Sequence, residues 1–468
     1  MTEAWELGIE EASRLIREGQ LSAADLLDSV LSRLQDTEEY ARAWAYVDEP
    51  AARAAAMTAD TKARTGALSG PLHGIPVGIK DVIDVQGMPT EGGSISLRGN
   101  IADRDAGAVR QLRGHGAVIL GKLETHEFAF GQGTPPPRNP WGHDRYAGGS
   151  SVGSGVAVAV GSALGALGTD TGGSVRNPAA VNGLVGLKPT TGLVDTSGVL
   201  NVSHSLDHIG PIARSVEDCA ILFEGMLDPM ALSRLGGSTL LPGEELPTPV
   251  RLAVDRGIWG EWGVSAAVVK CVEGALTVLQ DLGMEIVDVP LPELDMALPA
   301  SLAISLSEAI GHHRERLRRD PARYLSGTRI MIETGALISP ADVRLAWDVR
   351  KYLQDKVAET MRRAEVHALV SPTLPAIAPL ASAMSSELTG ATGEDSLAAA
   401  LRMLSPANLL GMPGLSVPCG FAGGHPVGLH LMGHEFADAQ ILAIALAYER
   451  AVPWRGHVPV RLLPEIAD

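Results

Sequence analysis

A chain of 468 residues, 45% of them hydrophobic, carries enough apolar side chains for a large buried core. Aromatics are only 4%, so Ala, Gly, Leu and Val must do most of the packing. The net charge of −17, with no basic block anywhere, excludes nucleic acid and anionic membrane surfaces as partners, because both need clustered Lys and Arg.

The first twenty residues carry Glu3, Glu6, Glu10, Glu11 and Glu18, the wrong chemistry for a secretory signal. Ser22-Ala23-Ala24-Asp25 opens a helix in the manner of a capping box, with Asp in place of the usual Glu. Leu26, Leu27, Val30, Leu31 and Leu34 continue it at helical spacing. Ala51 to Lys62 is a second, alanine-rich helix. At Gly70 the composition changes to turn residues, and Ile75, Val77 and Ile79 then share one face of a short strand. Alternation sends Lys80 to the other face at the strand's end. Residues 110–123 predict a helix end, a turn at Gly114-His115-Gly116, and a strand. Pro135, Pro136, Pro137 and Pro140 stiffen the loop from Gln132 to Arg145. Ala147 to Thr169 is uncharged and long enough to span a membrane. Its Gly, Ser and Ala content predicts instead a buried loop leading into a core helix or strand.

In the second half, the block from His312 to Arg319 mixes acid with base and reads as a solvated helix face. Ser339 caps a helix with Pro340 at its first position, continued by Val343, Trp347, Leu353, Val357 and Met361. Ala381 to Ser396 is small and polar, the pattern of a mobile loop. Strand-like runs follow at Leu415–Val417 and Val427–Met432, then a final helix from about Ala437 to Arg450. Helices and strands alternate throughout, which predicts an α/β fold. Cys219, Cys271 and Cys419 are far apart and odd in number, so they predict a reducing, cytoplasmic setting and three buried thiols.

Two segments carry the chemistry: Gly148-Gly149-Ser150-Ser151-Val152-Gly153-Ser154-Gly155, and Gly168-Thr169-Asp170-Thr171-Gly172-Gly173-Ser174-Val175-Arg176. Each sets a serine after paired glycines. Successive backbone N–H groups in such loops converge on an anion, and a serine at the end of that nest is placed to attack a carbonyl. Tight turns alone would also explain either segment. A nucleotide loop would need Gly-Lys-Ser/Thr after the glycines, which is absent. His204 and His208 have the spacing of a metal pair but lack the Glu of a zinc protease helix.

Taken in order, Gly70 to Asp81, AGGSSVGS, GTDTGGSVRNPAA, GLVGLKPTTG, SLDHIGP and LGMPGLSVPCGF resemble the motifs of the amidase signature family. The resemblance is strong over residues 60–220 and moderate over 365–450. It implies one domain over 1–468: a helical N-terminal segment (1–65), a signature core (66–220), and the rest of the sheet with the pocket loops (221–468). The implied fold is a single large, mixed, twisted β-sheet flanked by helices on both faces. It implies a Ser–cisSer–Lys triad of Ser174, Ser150 and Lys80, with the N–H groups of Thr171, Gly172 and Gly173 as oxyanion hole. Asp170, Arg176 and His73 would support these loops, and Ser151 would either stabilise its loop or touch the substrate. Val152 departs from the family, which usually has glycine there.

The implied reaction is hydrolysis of the C–N bond of a small amide, anilide or carbamate through an acyl-enzyme on Ser174, with no metal and no cofactor. The partner would be that small molecule, and dimers are common in the family. The alternative is the glutamine-hydrolysing A subunit of an aminoacyl-tRNA amidotransferase. The Lys-Arg-Arg-Ile and Tyr-Tyr-rich stretches expected of that subgroup are missing from 325–352. A lysine can serve as base only when neutral, and its free pKa is roughly 10.4. Burial away from acids lowers it. Asp81, adjacent in sequence, should face away.

Overall fold

The alternating runs become strands of one eleven-stranded mixed sheet in the computed structural model, which describes residues 3–131, 133, 135–236, 249–384, 393–452 and 454. In chain order the strands are β1 Trp44–Val47, β2 Pro76–Lys80, β3 Val118–Leu123, β4 Gly165–Asp170, β5 Val185–Lys188, β6 His208–Ala213, β7 Arg251–Val254, β8 Glu285–Asp288, β9 Ala368–Pro372, β10 Gly414–Ala422 and β11 His425–Gly433. Their order across the sheet is β1-β3-β2-β4-β6-β5-β10-β11-β9-β7-β8.

Two parallel blocks lie on either side of an antiparallel centre. β2 runs parallel to both β3 and β4, and β7 runs parallel to β8 and β9. Between them β6, β5, β10 and β11 pair antiparallel. The register aligns Val77 with Gly165 and Ile79 with Leu167. Lys80 and Thr169 therefore leave the sheet together at the carboxyl ends of parallel neighbours, the usual place for a site in an α/β sheet.

The uncharged stretch becomes a helix, Val152–Val160, with every residue buried, followed by β4. Its composition is that of a core element; charge has no place in it. The predicted caps form as read. The Ser22 side chain accepts from the Asp25 N–H, and Ser339 accepts from Asp342 with Pro340 at the first position.

Several expectations needed correction. β1 lies inside the N-terminal segment read as helical and forms one edge of the sheet, antiparallel to β3. The small polar segment expected as a loop is helical at Ala381–Met384 and enters a second helix, Gly393–Leu410; residues 385–392 lie outside the described ones. Its alanines favour helix, and the 393–410 helix packs on the long helix Ala297–Arg319. That long helix is not solvated all round at its end. His313 is buried, its Nδ1 3.0 Å from the Tyr324 hydroxyl and its ring 4.5 Å from Phe128. Of the three free thiols only Cys219 is buried; Cys271 and Cys419 are half-buried.

Candidate active site

Lys80 is fully buried, and its Nζ lies 2.7 Å from Ser150 Oγ and 2.8 Å from Thr169 Oγ1. Both partners are hydroxyls. The neighbouring Asp81 faces away, as strand alternation requires, and its carboxylate pairs instead with Lys122 at 3.0 Å. Lys122 also donates to Pro89 O and Thr90 Oγ1, so this second buried lysine is fully engaged. Burial pushes the Lys80 pKa down to about 7, against the opposing pull of Asp170 and Asp207.

Ser150 follows a cis peptide bond with Gly149. A side chain at Gly149 would collide with His126 and with the Tyr146 hydroxyl, so only glycine fits. Ser151 ties this loop to β4: its Oγ is 3.2 Å from both the N–H and the carbonyl of Thr169. Val152 is buried at the start of the following helix, so the departure from glycine there is absorbed by the core.

Ser174 closes the second glycine loop and shares one cavity with Ser150. Gly173 sits at φ 119 with the Leu404 side chain against it, a position no side chain could occupy. Its N–H donates to Asp170 Oδ1 at 2.7 Å. Of the three N–H groups expected as oxyanion hole, that of Gly173 is thus engaged by a carboxylate in this structure.

Asp170 and Arg176 form a buried latch beneath this loop. Both are fully buried, with Arg176 Nε and Nη2 at 3.1 and 3.0 Å from the two carboxylate oxygens. Asn408 donates to Asp170 Oδ1 at 2.9 Å and accepts from Arg176 at 2.7 Å. Arg176 also donates to Leu404 O at 3.0 Å and meets His430 Nε2 at 3.1 Å. Burial alone would raise the Asp170 pKa, but the Arg176 charge and the hydrogen bonds from Arg176 and Asn408 outweigh it and hold the carboxyl well below its usual range. Removing one partner of such a pair leaves a bare buried charge. Arg176→Met is therefore expected to lower the unfolding free energy by about 3–5 kcal/mol in a denaturant titration. A loss under about 1 kcal/mol would mean that the latch does not hold the fold.

His73 is structural: its ring nitrogens meet the Ser69 N–H at 3.1 Å and Ala59 O at 2.9 Å. His204 pairs with Glu308, while His208 is buried between Thr191 Oγ1 and Asp170 O. Among the described residues no group of three His, Cys, Asp or Glu could hold a metal ion.

Sequence reasoning missed four members. Thr169 is the second partner of Lys80, and Asp207 accepts from Thr171 Oγ1 at 2.5 Å. Burial raises the Asp207 pKa to about 6, opposed by the Thr171 hydroxyl and the N–H groups of Ser203 and Val202. Both residues stand inside the quoted motifs, so their position was visible but their contacts were not. Asn408 and His430 come from more than 200 residues away with no local signal.

The cavity before Ser174 has a volume of about 100 Å3. Its walls come from Phe130 and Tyr146, from Leu298, Leu302 and Leu306 of the 297–319 helix, and from Leu401 and Leu404 of the 393–410 helix. These leucines explain why the long helix is also apolar enough by composition to cross a membrane. No Asp, Glu, Lys, Arg or His is among the described residues that line this cavity.

A family model described as Amidase matches residues 25–442. The chain is 37% identical to an amidase of Pseudomonas putida, covering 98% of this chain and 99% of that one. It is equally 37% identical to the A subunit of a glutamyl-tRNA(Gln) amidotransferase of Roseiflexus castenholzii, covering 98% of each. A solved amidase structure superposes with a TM-score of 0.84 at 33% identity, over 96% of this chain and 100% of that one. With its ordered motifs, its mixed sheet and these full-length relatives, the chain belongs to the amidase signature family of hydrolases acting on C–N bonds.

Proposed function

We propose that the protein hydrolyses a neutral, largely apolar small amide, anilide or carbamate through an acyl-enzyme on Ser174. The observation that carries this reading is the 2.7 Å contact between Lys80 Nζ and Ser150 Oγ, on a buried lysine hydrogen-bonded to hydroxyls rather than to a carboxylate. Neutral Lys80 accepts the Ser150 proton while Ser150 takes the proton of Ser174, whose oxygen attacks the carbonyl. The oxyanion develops against the N–H groups of Thr171 and Gly172. As the C–N bond breaks, the proton returns through Ser150 to the leaving amine. Water then attacks the ester by the same relay and releases the acid.

A second reading, glutamine hydrolysis for a tRNA amidotransferase, is supported by the Roseiflexus relative. Charge favours the first. Glutamine carries an ammonium and a carboxylate, and the described residues that line the cavity offer neither a charged partner. The test is amine release from a panel of anilides, aliphatic amides and aryl carbamates, run beside ammonia release from glutamine. The expected kcat/KM for glutamine is about a hundredfold or more below the best neutral amide, the penalty of unpaired charge. Glutamine as the preferred substrate would favour the second reading.

A further inference from the structure

A second cavity adjoins the first. It has a volume of about 240 Å3 and is lined by Val181, Trp262, Leu374, Ile377, Met384 and Ala399, among others. Tyr146, Asn177, Leu397 and Ala400 line both cavities, so the two share part of one wall. The second lobe, like the first, has no charged residue among the described ones that line it. Asn177 stands at the junction, 7% exposed, and its Oδ1 has no protein partner. A buried amide oxygen without a partner is costly, and at a functional site the substrate is its natural occupant. Ser301 and Ser405, on the walls of the reactive lobe, are likewise buried with unpartnered hydroxyls.

We propose that the two lobes form one substrate site. The reactive lobe takes the scissile amide, and the second lobe takes the apolar group at the far end of the same molecule. Asn177 hydrogen-bonds a polar atom in the segment that joins them. The substrate class is then a neutral amide with apolar groups at both ends and a second polar atom between them. This rests on the amidase reading above and extends it to the shape of the substrate.

The test uses two series of neutral anilides, one lengthening the acyl chain and one the 4-alkyl group on the amine side. In one series kcat/KM should rise about three- to fourfold per added methylene until the second lobe fills, the gain from burying one CH2. Ala399→Trp and Ile377→Trp, from separate segments, each fill the second lobe alone. In both, the long-to-short ratio of kcat/KM should fall at least tenfold. Asn177→Leu should cut the preference for an amide-containing chain over a hydrocarbon chain about fivefold, the worth of one hydrogen bond.

Calorimetric binding of the same amides to Ser174→Ala, with and without each tryptophan, reads the lobe without turnover. No hydrolysis of any amide, with binding that still tightens with length and is lost in the tryptophan variants, sinks the amidase reading and keeps the two-lobed site. Binding and turnover flat with length in both series, or a length dependence that survives both tryptophans, overturns the two-lobed site.

Discussion

Ser174→Ala is expected to lower kcat for amide hydrolysis by about 10^4- to 10^6-fold, the range seen when a serine nucleophile is removed from a relay that acts as a unit. The fold should survive. Ser174 holds the neighbouring loop through its backbone carbonyl, which accepts from the Ser151 N–H at 3.3 Å, and alanine keeps that carbonyl. The Asp170–Arg176 latch beneath the loop does not involve the Ser174 hydroxyl. A wild-type sample quenched during turnover of a slow ester should carry the acyl mass on the peptide containing Ser174, and the variant should carry none. Retention of more than a tenth of wild-type activity in the variant would remove Ser174 from the role of nucleophile.

Lys80→Met is expected to cut activity about 10^4-fold and to abolish the gain in stability that the wild type shows as pH climbs from 7 to about 10.4. The two effects have one cause. The folded pKa of Lys80 is about 7, below the roughly 10.4 of an unfolded chain. The folded state therefore binds fewer protons between these values, and stability rises as pH climbs from 7 to about 10.4. Below pH 7 the full cost of burying an ammonium is present, about 5 kcal/mol for a shift of this size. Methionine removes that pH-dependent cost, and the two hydroxyls left without a partner, Ser150 and Thr169, together offset it by about 2–6 kcal/mol at every pH. Activity moves oppositely, because only the neutral amine accepts a proton. In the wild type, log kcat/KM should rise with unit slope below about pH 7 and level off above it. A profile flat from pH 5 to 9 with chemistry rate-limiting would rule Lys80 out as the base.

Local pattern and long-range assembly account for what the sequence revealed. The alternation of Ile75, Val77 and Ile79 put Lys80 at a strand end and turned Asp81 away from it, and β2 has that geometry. Paired glycines located Ser150 and Ser174, because the backbone approach they permit is a local property. β1 was hidden because its four residues lie between two helices with a stronger pattern. The small polar residues after Ala381 suggested a loop, where helix packing against 297–319 decided otherwise. Asn408, His430 and the second lobe could not be seen, since each exists only where distant segments converge. The engagement of Gly173 with Asp170 was likewise a matter of where a carboxylate three residues earlier comes to rest.

The proposed chemical machinery sits between Lys80 and Arg176, whereas much of the cavity wall belongs to the helices at 297–319 and 393–410. This separation makes substrate range and reactivity independently heritable. A lineage can resize the chamber by drift at the cavity-facing positions of the later helices, so long as Leu404 and Asn408 stay to hold the loop that carries Ser174. An engineer can likewise exchange the cavity-facing leucines of these helices between homologues, keeping Leu404 and Asn408, which hold the Asp170–Arg176 latch, and expect selectivity to travel with them.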